Sequence, residues 1–395
     1  MFKQNRNLLI IALIAVVNAL GYGIIIPILY SYSMRYGLTD FQNGLLFATF
    51  SLCQFFSTPI IGRLSDKYGR RPLLIISIAG TAISFLCMAF APSALFLFIA
   101  RGLDGITAGN IPVAAAVITD TTEPKDRVKG FGIIGASFGF GFIFGPAISA
   151  LTVGIYPSLP FIIAAVVSII AVIITALFLP ETNKHIGQVK HDKLFDFTKL
   201  FHALTNKTVG ATLLLTLLFF TAFSMFIYAF QSSAIKIYHM SPNKISLVFT
   251  LFGALGLVSQ LILLRIATKL FGVKKTFITA LIWIGTAFLL MFLARSVTEF
   301  IAANITLALV NSFIQPLSQT ILSEEADPKE QGEMQGLNTS YMSIGQIIGP
   351  ILAGIAATYS VNSPFIGAGI MVFICVYLAS MIFKHLENKK LINTI

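Results

Sequence analysis

The chain has 395 residues, of which 56% are hydrophobic and only 11% are charged. A water-soluble domain needs a larger share of charged residues on its surface, so this composition excludes an ordinary soluble protein and indicates one that is solvated mainly by lipid. The formal net charge of +11 does not indicate nucleic-acid binding, because the basic residues lie in short loops between apolar runs.

Twelve apolar runs are long enough to cross a bilayer as helices, which takes about 20 residues each. The first six have the limits 7–30, 41–62, 72–92, 95–119, 128–153 and 157–179. The other six have the limits 208–234, 243–264, 274–294, 298–321, 331–358 and 362–384. We therefore predict an all-α membrane protein with 12 transmembrane helices in two pseudo-symmetric halves. The expected domains are a six-helix bundle over 1–180, a cytoplasmic linker over 181–207 and a second six-helix bundle over 208–395.

The distribution of basic residues predicts the orientation of these helices. With the N-terminus placed in the cytoplasm, the inner segments carry 22 Lys and Arg residues and the outer loops carry 4. This bias predicts that both termini are cytoplasmic. Lys3 and Arg6 precede the first run, which has no small-residue cleavage site, so we interpret it as a membrane span and not as a removed signal peptide. The three cysteines all lie in apolar runs and are predicted to be packing residues.

A charged loop joins the second and third runs. It reads Gly-Arg-Leu-Ser-Asp-Lys-Tyr-Gly-Arg-Arg-Pro over residues 62–72. Gly62 and Gly69 permit close backbone approach and positive φ, and Arg70 and Arg71 can each pair with carboxylates. An ordinary positive-inside loop needs neither Asp66 nor both glycines.

This loop resembles the signature loop of the major facilitator superfamily, with every specified position of the family's pattern G-x-L-x-D-x-x-G-R-[RK]-P present. The resemblance implies a transporter and not an enzyme, with a latch that holds the outward-open state. We expect the core of that latch to be Asp66, Arg70 and Asp120, with Asp66 capping the eleventh helix; screened surface charges are the alternative. The positions assigned to the latch are Gly62, Asp66, Gly69, Arg70, Arg71 and Asp120.

The fourth run contains Arg101 and Asp104, three residues apart and therefore on one helix face. Charges inside a membrane usually face a cavity or each other. A carboxylate withdrawn from water favours its protonated form, so we expect Asp104 to carry the proton and Arg101 to tune it. In the family, an Arg at this place is associated with proton coupling. A mutually neutralising pair that only orients the helix is the alternative.

The fifth run contains Gly141, Gly145 and Pro146, and this spacing favours close helix packing and a kink. It resembles the antiporter motif G-x-x-x-G-P-x-x-G-G of the superfamily, although Ser149 and Ala150 replace the final glycine pair. The motif favours export over import. The first run resembles the first helix of tetracycline/proton antiporters, but Asn18 stands where those often have Asp, which moves the expected proton coupling to Asp104.

An internal repeat supports two similar halves without reference to any other protein. Gly141, Gly145 and Pro146 recur as Gly345, Gly349 and Pro350, each 204 residues later. The segment 123–127 recurs as 327–331 and Pro112 as Pro316 with the same offset. Parallel repeats of six spans are known in transporters of this kind. The second copy of the loop is eroded, and around 265–275 only Gly272 and basic residues survive.

Polar and aromatic residues within the runs are the candidates for substrate binding. Each one can instead form a helix–helix hydrogen bond. A cavity with many aromatic and few charged groups suits an amphipathic, planar or cationic organic molecule. The candidates are Asn18, Tyr22, Gln54, Asn110, Tyr228, Gln231, Asn311, Gln315, Gln319, Tyr341 and Gln346.

The sequence therefore predicts a proton-coupled exporter of small drug-like molecules, similar to the bacterial drug/proton antiporters, in the bacterial inner membrane. The expected partners are a small-molecule substrate, protons and lipid. We expect a monomer, no metal, no nucleic acid and no cofactor, and the sequence has no Walker loop to indicate ATP. Three alternatives stay open: a proton-coupled sugar or metabolite carrier, a uniporter in which Asp104 is structural, and a membrane sensor or scaffold that transports nothing.

Overall fold

The computed structural model describes residues 2–123, 127–184, 186–187, 197–206, 209–325 and 331–392. These residues form helices and connecting turns, and no β-strand occurs among them. Most of the repeated acidic loops, 124–126 and 326–330, lie outside the described residues, as does the central part of the predicted linker, 188–196.

The helices follow one another through short connections, as expected for closely spaced membrane spans. In the first half of the chain they are α1 (Phe2–Ile25), α2 (Leu29–Met34), α3 (Asp40–Tyr68), α4 (Arg70–Ala89), α5 (Ala94–Thr107), α6 (Asn110–Thr121), α7 (Arg127–Thr152) and α8 (Leu159–Phe178). In the second half they are α9 (Phe197–Thr205), α10 (Gly210–Lys236), α11 (Pro242–Val258), α12 (Leu264–Leu293), α13 (Val297–Asn311), α14 (Ile314–Glu325), α15 (Gln331–Tyr359) and α16 (Ser363–Ile392). A π-helical segment, Ser259–Leu263, connects α11 to α12.

Within the described residues, 11 helical stretches are long and apolar enough to cross a membrane. One of them, Pro242–Leu293, has 52 residues and contains both the eighth and the ninth predicted spans. Gly272 interrupts this stretch with φ 76° and ψ 166°, so the helix changes direction there. The predicted fold class, an all-α membrane protein, is confirmed.

Two predicted spans are broken near their middle, and proline explains both breaks. Proline has no N–H to offer the carbonyl four residues earlier, and its ring crowds that carbonyl. In the fourth span the gap between α5 and α6 includes Ala108, four residues before Pro112. In the tenth span the gap between α13 and α14 includes Ser312, four residues before Pro316. The repeat therefore places the same break in each half.

The chain divides into two compact units. Unit 1 comprises residues 1–39, 49–194 and 240–250. In it, α1 packs against α6, α7 and α8, and α4 packs against α5, α6 and α8. Its core is a cluster of branched aliphatic side chains on α1, α4 and α6, including Ile14, Ile78 and Val117.

Unit 2 comprises residues 40–48, 195–239 and 251–395. In it, α10 packs against α15 and α16, and α12 packs against α13 and α16. Aromatic rings fill much of this core, and the fully buried Phe226, Phe230 and Phe300 are among them. The rings of Phe230 and Phe300 are stacked with centroids 4.8 Å apart.

The recurring glycines place helix backbones in direct contact in both units. In unit 1, a Cβ on Gly145 would lie 2.7 Å from the carbonyl carbon of Gly23, so α7 touches the backbone of α1 there. In unit 2, a Cβ on Gly349 would lie 2.7 Å from the Cβ of Ser224 on α10. Real Cβ atoms do not approach so closely, and glycine is therefore required at both contacts.

Candidate functional site

A buried ion pair lies on α5 in unit 1. Nη1 of Arg101 is 3.2 Å from Oδ2 of Asp104. Arg101 is 4% exposed and Asp104 is 6% exposed, so both charged groups are withdrawn from the surface. The structure brings the two predicted proton-coupling residues together within a membrane-spanning stretch, where isolated charges are costly.

Aromatic rings surround the arginine of this pair. The guanidinium carbon of Arg101 lies 4.5 Å from the centroid of the Phe50 ring, an arrangement suited to a cation–π interaction. Tyr22 packs against Phe50 at 6.2 Å and against Phe142 at 5.9 Å between ring centroids. Nε of Arg101 has no hydrogen-bond partner among the described residues. The arginine therefore keeps a donor that a ligand or water could use.

A glycine contact fixes α5 against α3 beside this pair. A Cβ on Gly105 would lie 2.7 Å from the Cβ of Cys53, which leaves no room for a side chain. Ser57 donates a 2.9 Å hydrogen bond to the carbonyl oxygen of Gly105. Gln54, a predicted substrate residue, is half-buried on the same stretch of α3.

Asn18 and Asn110 join α1 to α6. Nδ2 of Asn110 donates to Oδ1 of Asn18 at 2.8 Å, and Nδ2 of Asn18 donates to the carbonyl oxygen of Ile14 at 2.8 Å. Oδ1 of Asn110 has no partner among the described residues. These two predicted substrate residues thus form a hydrogen bond between α1 and α6, and Oδ1 of Asn110 is an acceptor that a ligand or water could use.

The loop between α3 and α4 forms a charged cluster that contains most of the predicted latch. Nη1 of Arg70 lies 2.5 Å from Oδ1 of Asp66, and Nε of Arg70 lies 3.2 Å from Oδ2 of Asp120. Gly69 has φ 104°, a conformation that strongly favours glycine. Gly62 lies inside α3 with open space where a Cβ would project. The structure brings Asp66, Arg70 and Asp120 together, and we call them, with Glu181, the loop cluster.

Glu181 is the member of the loop cluster that sequence reasoning missed. Its Oε1 accepts from the backbone N–H of Arg70 at 2.9 Å, and its Oε2 accepts from that of Arg71 at 3.1 Å. These are the first N–H groups of α4, which have no partner within the helix. A carboxylate there also interacts favourably with the helix dipole. Arg71, assigned to the latch, donates through Nη2 to the carbonyl oxygen of Ala176 on α8.

Three predicted substrate residues of unit 2 donate hydrogen bonds to backbone carbonyl oxygens of the same unit. The hydroxyl of Tyr228 donates to the carbonyl oxygen of Asp40 at 2.8 Å, beside an ion pair of Asp40 with Lys236 at 2.7 Å. Nε2 of the buried Gln231 donates to its own helix, to the carbonyl oxygen of Ile227 at 3.2 Å. The hydroxyl of Tyr341 donates to the carbonyl oxygen of Leu200 on α9 at 2.5 Å.

Other predicted residues of unit 2 lie at or near a pocket between α10, α14 and α15. Gln315 and Gln319 project into it, and Asn311 precedes Gln315 by four residues with a buried Oδ1 that has no partner among the described residues. Gln346 is half-buried further along α15. The lining residues are Leu215, Thr216, Phe219, Phe220, Ile314, Gln315, Ser318, Gln319, Gln335, Asn338, Thr339 and Met342.

Comparison with known proteins identifies the family. The model described as Major Facilitator Superfamily matches residues 11–230 and 212–393, which together span almost the whole chain. The chain belongs to the major facilitator superfamily. It is therefore a multi-pass membrane protein of a transporter family, and the family predicted from the charged loop is confirmed.

Similar proteins place this major facilitator protein near one branch of the family. The tetracycline resistance protein, class H, of Pasteurella multocida is 31% identical over 91% of this chain and 90% of its own length. Multidrug resistance protein 1 of Bacillus subtilis (strain 168) is 28% identical over 92% of this chain and 93% of its own length. The predicted resemblance to the tetracycline-exporter branch is confirmed.

A solved structure supports the fold. The human organic anion transporter MFSD10 (TETRAN) superimposes with a TM-score of 0.71, covering 95% of this chain and 99% of that one at 20% sequence identity. At that identity, the likeness shows a shared fold.

The departure of this major facilitator chain from the antiporter motif has a structural consequence. Ser149 stands where the motif has glycine, and its hydroxyl donates to the carbonyl oxygen of Ile24 on α1 at 2.9 Å. The replacement therefore adds a hydrogen bond to the same α1–α7 contact that Gly141, Gly145 and Pro146 form by close packing. This hydrogen bond could not be predicted from the sequence, because Ser149 and Ile24 are 125 residues apart.

Proposed function

We propose that this protein exports drug-like, amphipathic organic molecules from the cytoplasm and that a proton gradient drives the export. The observation that carries the proposal is the Arg101–Asp104 pair, two charged side chains buried together in a membrane-spanning stretch. Intramembrane carboxylates are typical of proton pathways. The drug-resistance names of the relatives support the choice of substrate class.

In the proposed cycle, substrate binds from the cytoplasm while Asp104 is ionised and paired with Arg101. The protein then opens outward, and a proton taken up by Asp104 weakens the ion pair and accompanies release of the substrate. The return step brings the proton inward. This is alternating access, which parallel six-helix repeats are suited to perform. The loop cluster would hold one of the two states through the Arg70 contacts with Asp66 and Asp120.

The proposed setting is the inner membrane of a bacterium with both termini in the cytoplasm. The excess of Lys and Arg in alternate loops supports this orientation. We also propose that the protein works as a monomer and requires no cofactor besides the proton gradient.

The test is proton flux in proteoliposomes that contain a pH-sensitive dye. The panel would be tetracycline, chloramphenicol, ethidium, tetraphenylphosphonium and glucose. We expect proton movement on adding a drug to the wild type, and loss of most of that movement in Asp104→Asn. Asn keeps an oxygen that can accept from Arg101 but carries no proton load, so the variant should still fold.

Glu387→Gln is the matched control, since Glu387 forms an exposed ion pair with Lys274. It should leave proton flux unchanged. Drug-linked proton flux that persists in Asp104→Asn would refute the role of Asp104. Flux with glucose alone would favour the carrier of sugars or metabolites, and drug transport without proton flux would favour the uniporter.

A further inference from the structure

None of the residues that line the pocket between α10, α14 and α15 in unit 2 has a role in the proposed proton cycle. We propose that it is a subsite for the uncharged hydrogen-bonding groups of the transported molecule, such as hydroxyl, carbonyl and carboxamide groups. This inference rests on the proposed function, because it concerns recognition of the exported substrate. It adds that unit 2 selects substrates by neutral hydrogen bonding and not by charge.

The chemistry of the lining is the first argument. No Asp, Glu, Lys, Arg or His is among the lining residues. A cation that entered the pocket would lose part of its hydration without gaining a counter-charge, which is unfavourable. A neutral polar group loses less on leaving water and can exchange its water contacts for contacts with amides.

The state of the amides is the second argument. Gln315, Gln319 and Gln335 line the pocket, and their side chains form no hydrogen bond among the described residues. Each offers two donors and one acceptor and can rotate to suit a ligand. Asn338 differs, because its Oδ1 accepts from the hydroxyl of Thr216 at 2.7 Å. That bond fixes the orientation of the Asn338 amide and leaves its Nδ2 without a partner in the described part of the chain.

The apolar part of the lining completes the subsite. Phe219 and Phe220 lie edge to face with centroids 5.6 Å apart, and Met342 lies across the same pocket. Aromatic rings and a flexible thioether are suited to packing against a planar ring system. The cavity volume is about 70 Å³, below the usual range of whole ligand sites, about 300–1,000 Å³, so the pocket accommodates a substituent of the substrate and not the whole molecule.

The position of the pocket agrees with a role early in export. It lies in the first half of each of the three helices α10, α14 and α15. In the proposed orientation this is the cytoplasmic half of the membrane-spanning part of unit 2. A substrate arriving from the cytoplasm would therefore meet the amides before it reaches the depth of the membrane.

The experiment uses the full chain in lipid nanodiscs and measures equilibrium binding of two probes. Chloramphenicol is uncharged and carries hydroxyl and amide groups, and tetraphenylphosphonium is an apolar cation. The variant is Gln315→Met/Gln319→Met, which removes two exposed amides at nearly constant side-chain volume. The control is Gln260→Met, the same change at an exposed position of unit 2 outside the pocket.

We expect the double variant to bind chloramphenicol about tenfold more weakly, as for the loss of one to two net hydrogen bonds. Binding of tetraphenylphosphonium should stay within about twofold of the wild type in this uncharged pocket, and the control should bind both probes as the wild type does. Gln319→Glu should tighten binding of the cation and weaken that of chloramphenicol, which shows that the altered pocket is still folded.

The other outcomes overturn the inference in distinguishable ways. If the double variant bound both probes more weakly by the same factor, or bound both as the wild type does, the amides would not give the proposed selectivity. The proposed function would be unaffected by either result. A wild type that binds the cation but not chloramphenicol would also refute the inference alone. A wild type that binds neither probe, in protein shown to be folded, would count against the proposed function and against this subsite together.

Discussion

The two halves of the chain repeat the same helices but not the same polar residues. At the repeat offset of 204 residues, Arg101 and Asp104 correspond to Ile305 and Ala308. In the other direction, Gln319 corresponds to Ala115. The first half therefore holds a buried charge pair where the second is apolar, and the second holds amides where the first is apolar.

What the halves do share is backbone geometry. Glycine packing joins α7 to α1 in unit 1 and α15 to α10 in unit 2. Gly69 follows α3 in the first half, and Gly272 interrupts α12 in the second half. Both glycines have positive φ. The repeat therefore preserves the contacts in which the backbones of two helices meet. Side-chain chemistry at other positions was free to diverge, and we assign proton coupling to one half and neutral recognition to the other on that basis.

Removing one member of the charge pair, so that the other charge stays buried alone, should have a larger effect than any other change considered. Asp104→Leu leaves the guanidinium of Arg101 buried without its carboxylate, and we expect a loss of about 3–5 kcal/mol in the free energy of unfolding. Arg101→Met/Asp104→Leu removes both charges, as in the second half, and should recover most of that loss. The apparent melting temperature in detergent would measure both changes.

The double variant separates structure from function. If the pair serves proton coupling, a folded double variant should still show no drug-linked proton flux. We expect the first half to tolerate apolar residues at these two positions, as the second half does with Ile305 and Ala308. A double variant as unstable as Asp104→Leu alone would contradict that expectation.

The next effect tests the shared packing. Gly145→Ala and Gly349→Ala each place a Cβ within 2.7 Å or less of a neighbouring helix, and we expect each to cost about 2 kcal/mol through overpacking. Gly135→Ala is the matched control, because no atom lies within 4 Å of its Cβ position. Thermal unfolding should show similar losses at Gly145 and Gly349 and none at Gly135. Unequal losses would mean that the two contacts are not equivalent.

The smallest effect distinguishes Gly69 from Gly272, two of the glycines with positive φ. Gly272→Ala meets no atom within 4 Å, so we expect only the backbone cost of its conformation, φ 76° and ψ 166°, on the order of 1–3 kcal/mol. Gly69→Ala adds a Cβ 2.8 Å from the carboxyl carbon of Glu181, which would displace that carboxylate from the N–H groups of Arg70 and Arg71. We therefore expect Gly69→Ala to lower the melting temperature more and to slow transport, while Gly272→Ala leaves the transport rate nearly unchanged. Equal effects on transport would argue against a conformational role for the loop cluster.

The fold class, the family and several close contacts were predictable from the amino-acid sequence. Apolar runs had to be helices of about 20 residues because a bilayer leaves no water for unpaired backbone groups. The charged loop identified the family. It also indicated the ion pair of Asp66 with Arg70, because the two residues are only four positions apart. Arg101 and Asp104 were predictable as a pair for the same reason, because spacing by three residues places two side chains on one helix face.

Contacts between residues far apart in the chain depend on how the helices pack, and the structure was needed to find them. Glu181 is 111 residues from Arg70, and Asn110 is 92 residues from Asn18. The pocket of unit 2 gathers Gln335 and Asn338 from α15 beside Gln319 from α14 and Thr216 from α10. Periodicity fixes which face of a helix a residue occupies but not which helix that face meets. That choice depends on the close packing of whole helices, to which the recurring glycines contribute.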